Sequence, residues 1–366
     1  MMRIGIIGCG QLARMMALAG IPLGLKFSFV ADGGPDTDLS CVEGLGPVAF
    51  WQPGQSVSAL YEALGKPEVI TVEKEQVDLE LVRALEAHCT IRPNVDSIAK
   101  CKSRIHEKQL LAELGIPCAP FTYDVSLEES AKTLGYPMVI KSLDEGYDGK
   151  NQWVVRSNDD LAKVSPELKQ GHYLAEQWIP FDAEVSLIGV RSASGEVSCY
   201  PLTENQHQNG ILLRSMAPAR GLSAEMVQQA QSYMTKLLEA QQYVGVLAME
   251  LFVVGDKLLV NELAPRVHNS GHWTQLGAQT CQFENHIRAV AGLALGATSA
   301  IGKTGMLNLL GVVAPPMDAL SSNASLHWYN KAAKPNRKLG HINFMLDDYA
   351  QLASQMQSVE QSLVKC

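Results

Sequence analysis

The sequence lacks the features that mark membrane proteins, nucleic-acid-binding proteins and disulfide-rich proteins. No apolar run approaches the length of a membrane span, and Ile4–Ile7 is too short for the core of a signal peptide. The net charge of −8 argues against a basic face for nucleic acid. The eight cysteines form neither a CxxC pair nor a close cluster with histidine, which argues against a zinc site and a disulfide framework. We therefore predict a cytoplasmic protein with free thiols and without a membrane or nucleic-acid partner.

What the sequence does contain is the composition of a globular chain with two or three domains. Hydrophobic residues make up 46% of its 366 residues, and charged residues make up 19%. In the N-terminal part, short apolar strands alternate with helical patterns, which predicts one small doubly wound α/β unit. Neither an internal repeat nor a low-complexity tract is present.

The segment 246–273 carries the strongest chemical signal. Two apolar runs flank Gly255-Asp256, which predicts a β-hairpin, and each run contains one carboxylate, Glu250 or Glu262. A two-residue loop would pair Glu250 with Asn261 and send Glu262 to the other face, whereas a three-residue loop would place the two acids opposite each other. Two buried carboxylates that close need a proton or a cation between them, and Mg²⁺ suits such ligands. The alternative is a pair of exposed acids on an edge strand.

The N-terminal strand Arg3–Ile7 runs into a glycine-rich turn that resembles a dinucleotide fingerprint. Residues 8–13 read G-x-G-x-x-A, and Asp32 ends the next strand, where a ribose-binding acid would lie. Such a turn also arises wherever a tight strand-to-helix connection approaches another ligand. Glu73 and Glu75 follow a later strand at the sheet end that binds ligands in open α/β folds, although loop acids are as often solvated.

Two polar stretches in the middle of the chain are expected to be largely solvated. Ser97 is expected to cap a single helix that runs to Leu114, and we expect Lys100 and Lys108 on it to be solvated. The stretch 201–214 is expected to be a polar loop.

Two stretches predict contacts with a nucleotide, and a third predicts contacts with a phosphate. Lys141 closes a buried strand before the loop 142–151, which is typical of a phosphate grip, although a snorkelling lysine is the alternative. A strand edge followed by the linker 176–179 would offer backbone groups to an adenine, with Glu184 on the ribose. The basic run 327–338 suits a sugar phosphate, although a solvated loop would look similar.

Together these stretches resemble the ATP-grasp ligases and, within that group, the N5-carboxyaminoimidazole ribonucleotide synthetases of purine biosynthesis. The similarity runs over almost the whole chain, and its most specific motif is NELAPRVHNSGHWT at 261–274. The other motifs are IGIIGCGQLARM (4–15), TVEKEQVD (71–78), GYPMVIK (135–141), GYDGKNQ (146–152), EVSLIGVR (184–191), NQHQNGI (205–211) and HWYNKAAKPNRKLGHINF (327–344).

The resemblance implies an α/β and α+β architecture. An N-terminal Rossmann-like domain (1–97) would precede an ATP-grasp domain (98–295) and a small β-rich C-terminal domain (296–366). The implied reaction uses ATP, Mg²⁺ and bicarbonate to carboxylate 5-aminoimidazole ribonucleotide through carboxyphosphate, giving the N5-carboxylated nucleotide, ADP and phosphate. A homodimer is the expected assembly. In this family the glycine-rich turn belongs to the nucleotide-substrate pocket and does not hold NAD.

The resemblance also implies roles for individual residues. Those expected to bind ATP are Arg104, Lys141, Glu176, Gln177, Trp178, Ile179, Glu184, His207, Asn261 and Glu262. Glu250 and Glu262 would hold Mg²⁺. Those expected to bind bicarbonate or the aminoimidazole nucleotide are Gln11, Leu12, Glu73, Tyr147, Asp148, Arg266, His268, Asn269, Lys331, Arg337 and Lys338. The catalytic residues would be Arg266, Lys141, His268 and Asp148.

The sequence departs from the family's pattern at two positions, and three alternative functions are considered beside this interpretation. Glu145 and Asn151 stand where glycines are common in the family's phosphate loop. The alternatives are another ATP-grasp ligase, such as a formate-dependent glycinamide ribonucleotide transformylase, a nicotinamide-dependent dehydrogenase and a non-catalytic nucleotide-binding module. The segment 327–341 favours the aminoimidazole substrate over the first alternative.

Overall fold

The protein is represented by a computed structural model that describes residues 1–143, 151–164, 166 and 168–364. The predicted residues Tyr147 and Asp148, and with them most of the predicted phosphate loop, lie outside this range. In the part that is described, no helix is both long and apolar enough to cross a membrane. The described residues form three β-sheets, and the candidate site lies where these sheets meet.

The N-terminal sheet is parallel and is covered by helices, as its continuous apolar strands predict. Its strand order is β3-β2-β1-β4-β5, which is the doubly wound arrangement that the sequence predicts. The elements are β1 (Arg3–Ile7), α1 (Gln11–Gly20), β2 (Lys26–Ala31), β3 (Val48–Phe50), α2 (Val57–Ala63), β4 (Val69–Val72), α3 (Leu79–Leu85) and β5 (Thr90–Ile91).

The second sheet is small and antiparallel, with the strand order β6-β9-β7-β8. Its strands place the end of the predicted phosphate-grip strand beside the predicted adenine strand, because Lys141 pairs with Leu174. The elements are α4 (Val95–Lys102), α5 (Arg104–Glu113), β6 (Phe121–Tyr123), α6 (Leu127–Leu134), β7 (Met138–Ser142), β8 (Gln152–Val155), α7 (Asn158–Val164) and β9 (Tyr173–Gln177).

The third sheet is antiparallel and runs from the acidic hairpin to the C-terminal strands in the order β15-β14-β10-β12-β13-β16-β18-β17, with β11 beside β10. The C-terminal strands therefore continue the central sheet. The elements are β10 (Ala183–Arg191), β11 (Val197–Cys199), β12 (Thr203–Gln208), β13 (Ile211–Ala217), α8 (Ala224–Ala240), β14 (Gly245–Val254), β15 (Lys257–Ala264), α9 (Thr274–Gly277), α10 (Gln282–Val290), β16 (Lys303–Leu310), β17 (Ala324–Trp328), β18 (Lys338–Leu346) and α11 (Tyr349–Ser362).

Three local predictions are wrong. The helix expected between Ser97 and Leu114 is two helices, because the chain becomes extended at Ser103, which caps α5. The first of them is capped by Asn94. The stretch 201–214, expected to be a loop, instead forms most of the hairpin β12–β13, because alternate residues of this polar segment face a buried layer. Lys108, expected to be solvated, is only 2% exposed.

The acidic hairpin has an arrangement that neither predicted loop length describes. Its loop has two residues, since Val254 pairs with Lys257, yet Glu250 still lies opposite Glu262. A β-bulge reconciles these facts: the register shifts between Glu250 and Leu251, so that Asn261 is the extra residue on β15. The bulge turns Glu262 back to the face of Glu250.

The N-terminal and central parts share one hydrophobic core. Helix α1 packs on α10, and Met16 and Phe27 belong to the same buried cluster as Phe283 and Ile287. Buried His286 links the two parts by hydrogen bonds to the Thr71 hydroxyl (2.8 Å) and from the Val246 N–H (3.0 Å). The cavity between these parts therefore has walls that are packed against each other.

Candidate active site

One cavity of about 990 Å³ lies where the three sheets meet. The carboxyl ends of β1, β2 and β4 open into it, as expected for an open α/β sheet. Its walls contain every predicted site residue of the described chain except Arg104: Gln11, Leu12, Glu73, Lys141, Glu176, Gln177, Trp178, Ile179, Glu184, His207, Glu250, Asn261, Glu262, Arg266, His268, Asn269, Lys331, Arg337 and Lys338. Residues more than 300 positions apart in sequence thus share one space.

Two facing carboxylates, Glu250 and Glu262, line this cavity. Burial, reinforced by the charge of Glu262, raises the pKa of Glu250 to about 7. Arg104, at the N-terminus of α5, approaches Glu262 with 3.7 Å between Nη1 and Oε2. Repulsion between the two acids would fall if a cation lay between them.

The donor set fits Mg²⁺ better than a transition metal. Among the described residues, no group of three or more His, Cys, Asp and Glu side chains is arranged to hold a metal ion. The site instead offers two carboxylates, Glu250 and Glu262, beside the amide of Asn261. Mg²⁺ usually takes one or two carboxylates and completes its shell with water and substrate phosphates.

Next to these acids, two lysines share one buried carboxylate. Glu176 on β9 pairs with Lys141 and with Lys108, whose Nζ lies 2.7 Å from Oε1. Burial by itself would raise the pKa of Glu176, but the two ammonium groups outweigh burial and lower the pKa to about 2. Lys141 also approaches the Asn261 side-chain oxygen at 3.5 Å. The predicted phosphate lysine is thus held between the predicted adenine strand and the acidic hairpin.

A histidine and a glutamate face each other on neighbouring strands of the central sheet. His207 Nδ1 lies 2.9 Å from Glu184 Oε2. Burial opposes protonation of His207, but the hydrogen bond and the charge of Glu184 together raise its pKa. Both side chains line the cavity.

The loop after β15 carries a fixed cation and a neutral histidine. Arg266 binds Glu75 through two contacts, Nε–Oε2 at 2.6 Å and Nη2–Oε1 at 3.4 Å. Burial and the charge of Arg266 keep the pKa of His268 well below its usual range. The Nδ1 atom of His268 accepts a hydrogen bond from the Ser270 N–H, which assigns the proton to Nε2, 3.4 Å from Glu250. The Asn269 amide is buried without a protein partner and lines the cavity.

Gln282 holds this loop in shape, a role that no sequence pattern indicated. Its side-chain oxygen accepts from the His268 N–H (2.9 Å), and its amide donates to the His268 carbonyl (2.6 Å). The same amide contacts His272 Nδ1 at 3.2 Å. Gln282 is fully buried, and a Cβ on Gly271 would lie 2.6 Å from its oxygen. A side chain at position 271 would therefore collide with Gln282, so the buried glutamine requires a glycine there.

The glycine-rich turn is filled by a side chain of the protein itself. Glu73 accepts hydrogen bonds from the Gly10 N–H (2.7 Å) and the Leu12 N–H (3.1 Å). A Cβ atom on Gly8 or Gly10 would collide with this carboxylate. The helix N-terminus that binds the pyrophosphate in dinucleotide-binding proteins is thus occupied by Glu73, whose pKa is raised by burial. This geometry argues against the dehydrogenase alternative.

Basic residues of the C-terminal region reach the same turn. Lys331 binds the side-chain oxygen of Gln11, and Arg337 binds Asp38 at 2.8 Å. Burial lowers the pKa of Lys331. Together with Lys338, these cations line the cavity.

Other cavity residues were not predicted from the sequence. The stacked rings of Phe181 and Phe252, with centroids 4.6 Å apart, line the wall near Trp178. Glu107 and Lys108 do not line the cavity. A helical pattern could have revealed their burial, because they lie on the face of α5 that also buries Leu110 and Leu111.

The comparisons with known proteins agree with this geometry. A family model of the ATP-grasp domain matches residues 109–283, the ribonucleotide synthetase preATP-grasp domain matches 1–102, and the phosphoribosylaminoimidazole carboxylase C-terminal domain matches 304–355. The N5-carboxyaminoimidazole ribonucleotide synthase of Pseudomonas aeruginosa is 40% identical over 363 residues, covering 98% of this chain and 99% of the relative.

Solved structures give the same result. The N5-carboxyaminoimidazole ribonucleotide synthetase of Thermus thermophilus has a TM-score of 0.90 at 40% identity, covering 99% of both chains. The Aspergillus clavatus N5-carboxyaminoimidazole synthase in complex with ADP and 5-aminoimidazole ribonucleotide has a TM-score of 0.88 at 28% identity, covering 98% of both chains.

The fold, the cavity and these similarities define the chain as an ATP-grasp ligase. Within that class it belongs to the N5-carboxyaminoimidazole ribonucleotide synthase family, as the resemblance of its motifs predicted. Its activity is the ATP-dependent carboxylation of 5-aminoimidazole ribonucleotide in purine biosynthesis, with ATP and Mg²⁺ as cofactors. The predicted α/β and α+β ATP-grasp architecture is confirmed.

Proposed function

We propose that the cavity is organised around a Mg²⁺-bound triphosphate held by Glu250 and Glu262. The observation that carries this proposal is the bulge at Asn261, which sets both carboxylates on one face beside Lys141. When bound, Mg²⁺ neutralises charge on the triphosphate oxygens. Lys141 and Arg104 supply further positive charge to the phosphates, with His207 nearby. Asn261 lies beside the metal ligands.

The adenosine occupies the part of the cavity between the small sheet and the central sheet. Glu176, Gln177, Trp178 and Ile179 line the adenine pocket, and Glu184 binds the ribose. The contact of Glu184 with His207 supports this arrangement, because it fixes the carboxylate at the cavity wall.

Bicarbonate is a poor electrophile, so the first step is transfer of the γ-phosphoryl group to one of its oxygens. Positive groups that are fixed before the reaction stabilise the charge that spreads over the transferred oxygens. Arg266 is such a group, because Glu75 holds its guanidinium. Neutral His268 donates from Nε2, and Asn269 has an unpaired buried amide for the one-carbon acid. The product of this step is carboxyphosphate. The amine either attacks its carbonyl carbon and displaces phosphate, or attacks the CO₂ that carboxyphosphate releases together with phosphate.

The aminoimidazole nucleotide lies against the glycine-rich turn. Lys331, Arg337 and Lys338 bind its 5′-phosphate, and Gln11 and Leu12 contact the nucleotide. Glu73 holds the turn through its hydrogen bonds and also faces the substrate. Tyr147 and Asp148 remain predicted contacts, with Asp148 as a catalytic residue, on the sequence alone.

We also propose a homodimer in the cytoplasm. The exposed apolar residues Leu18, Ile21 and Leu293 on and beside the packed helices α1 and α10 support a subunit contact. Free cysteines among the described residues support a reducing compartment. Light scattering after size-exclusion chromatography measures the mass, and a monomer at all concentrations would reject the dimer.

The reaction is tested by ADP release in the presence and absence of bicarbonate and of 5-aminoimidazole ribonucleotide. We expect release to depend on bicarbonate, and the carboxylated product to appear only with both substrates. ADP release that is indifferent to both would contradict the proposal, and NADH oxidation would support a dehydrogenase instead.

The metal site is tested by Glu262→Gln. This substitution keeps the side-chain volume but removes a charged ligand, so we expect turnover to fall by at least about 10²-fold while the circular dichroism spectrum is unchanged. Glu239→Gln, at an exposed position, is the control, and we expect it to have normal turnover. Full activity of Glu262→Gln would remove the proposed metal role.

A further inference from the structure

We infer that Glu107 and Lys108 are positioning residues that hold the bulge at Asn261 and thereby keep Glu262 opposite Glu250. The inference rests on the metal site proposed above and adds the device that sets its geometry. Neither residue is a predicted ligand of ATP, metal or substrate.

The bulge creates a problem that these two side chains solve. A bulge leaves its extra residue out of the ladder of backbone hydrogen bonds, and a buried backbone group is stable only with a hydrogen-bond partner. On β15, Lys108 Nζ donates to the Asn261 carbonyl at 3.3 Å. Glu107 Oε2 accepts from the Leu263 N–H at 3.0 Å. The two contacts lie on either side of Glu262.

The burial of this pair supports a specific role. Glu107 is 4% exposed and Lys108 is 2% exposed, and charged residues are almost never that buried unless they have partners. Both project from α5, which covers the outer edge of β15. The segment after α5 adds a third contact, because the Val260 N–H donates to the Pro117 carbonyl at 2.8 Å. The edge strand is therefore held at Val260, Asn261 and Leu263, on both sides of Glu262.

Without these contacts, the unbulged hairpin becomes a competing register. A two-residue loop without a bulge pairs Glu250 with Asn261 and turns Glu262 to the opposite face. One shifted residue therefore decides whether the two carboxylates can share a cation. The Glu107 and Lys108 contacts exist only in the bulged register, so they stabilise it selectively.

Lys108 has a second contact that bears on the nucleotide. It shares Glu176 with Lys141, so Glu176 keeps one cationic partner if Lys141 turns toward a phosphate. The same ammonium thus connects the small sheet, through β9, to the central sheet, through β15. These are the two sheets on either side of the proposed nucleotide.

The experiment measures the gain in ADP affinity that Mg²⁺ produces, by calorimetry with Mg²⁺ and with EDTA. The gain is the ratio of the ADP dissociation constants measured with EDTA and with Mg²⁺. A change in the adenine pocket affects both constants and therefore leaves their ratio unchanged. We expect Lys108→Met and Glu107→Leu to reduce the gain about tenfold or more, because each leaves a buried backbone group without its partner. Glu107→Gln keeps an acceptor oxygen and should retain the gain. Lys100→Met, on the exposed surface of α4, is the matched control.

Glu262→Gln separates this inference from the proposed metal site. If Glu262→Gln keeps the Mg²⁺-dependent gain, the metal site itself is rejected. If Glu262→Gln loses the gain but Lys108→Met and Glu107→Leu keep it, only the present inference is rejected. If Lys108→Met does not fold, the comparison of Glu107→Leu with Glu107→Gln decides, and equal gains in these two variants would overturn the inference.

Discussion

At the scale of single residues, the raised pKa of Glu250 shows that the metal-free cavity disfavours a second negative charge. Its side chain is 23% exposed and faces a second acid, so that burial and repulsion raise its pKa to about 7. The ordinary value is 4.5, so the folded protein without metal binds this proton more tightly than the unfolded chain. The contribution of Glu250 to stability is therefore complete below pH 4.5 and is lost as the pH rises through 7.

Glu250→Gln should therefore stabilise the metal-free protein at high pH. The neutral amide cannot ionise, so at pH 8 we expect a gain in the free energy of unfolding on the order of 1–3 kcal/mol over the parent. At pH 4.5 the two proteins should be nearly equal. Urea unfolding in EDTA at both pH values measures the difference. A variant that is less stable than the parent at pH 8 would contradict the cause given for the raised pKa.

At the scale of elements, function depends on contacts that regular hairpins and helices do not specify. The strand β15 needs a bulge, and the loop after it needs the side chain of Gln282 from the start of α10. This loop carries Arg266 and His268, whose positions are proposed to control the bicarbonate step. A helix of the central domain therefore determines the geometry of a loop that precedes it in sequence.

Gln282→Leu should weaken use of bicarbonate more than binding of ATP. The leucine cannot bond the two backbone groups of His268, and small misplacement of reacting groups can cost about 10²-fold in rate. We expect kcat/KM for bicarbonate to fall by that order and the affinity for ADP to stay close to the parent's. Asn285→Leu is the control, since Asn285 is equally buried on α10 but bonds Gly296 and Tyr200. Equal effects of the two substitutions on bicarbonate use would contradict the role of Gln282.

At the scale of the whole molecule, one cavity depends on all three parts of the chain. Lys331 comes from the C-terminal region and binds Gln11 of the N-terminal turn, across 320 positions of sequence. Their contact closes the end of the cavity that is proposed to hold the substrate phosphate.

Lys331→Met should therefore weaken binding of the aminoimidazole nucleotide and leave binding of ATP unchanged. Losing a hydrogen bond to a charged group costs about 1.5–3 kcal/mol, which corresponds to a rise in KM for this nucleotide of about 10- to 150-fold. The KM for ATP should be unchanged. Lys334→Met, three residues further on and exposed, is the control. A rise in the KM for ATP of similar size would contradict a separate phosphate site.

The packing between the N-terminal and central parts should make the protein sensitive to acid. Burial lowers the pKa of His286 from 6.5 to about 4, so its contribution to stability is complete above pH 6.5 and is lost as the pH falls through 4. For this group alone we expect a loss of about 2 kcal/mol between pH 7 and pH 5. Half-buried His327, whose pKa is also lowered to about 4 by desolvation, acts in the same direction.

His286→Gln should flatten part of this pH dependence while lowering stability at pH 7, where the Val246 N–H loses a well-placed acceptor. Thermal unfolding between pH 5 and pH 7.5 measures both effects, and His106→Gln, at an exposed position, is the control. An unchanged slope in His286→Gln would show that another group carries the acid sensitivity.

The sequence by itself determined the motifs, the family and the strands that carry Lys141, Glu250 and Glu262, but not the strand that carries His207. Asn151 illustrates this, because it stands where the family commonly has glycine and adopts a left-handed φ of 53°, which asparagine tolerates. Apolar alternation and turn residues act over a few positions, so they can be read locally. The predicted hairpin, the strand ending in Lys141 and the basic run near Lys331 were identified in this way.

Only the tertiary structure decided how the two glutamates face each other and which charges are buried. The hairpin loop alone gives the register in which Glu250 and Glu262 lie apart, and the bulge at Asn261 corrects it through Lys108, 153 positions away. Gln282 and Glu73 likewise act through backbone groups that no local pattern indicates. The physical reason is that a buried polar group is stable only beside its partner, and these partners come from segments that meet only in the folded chain.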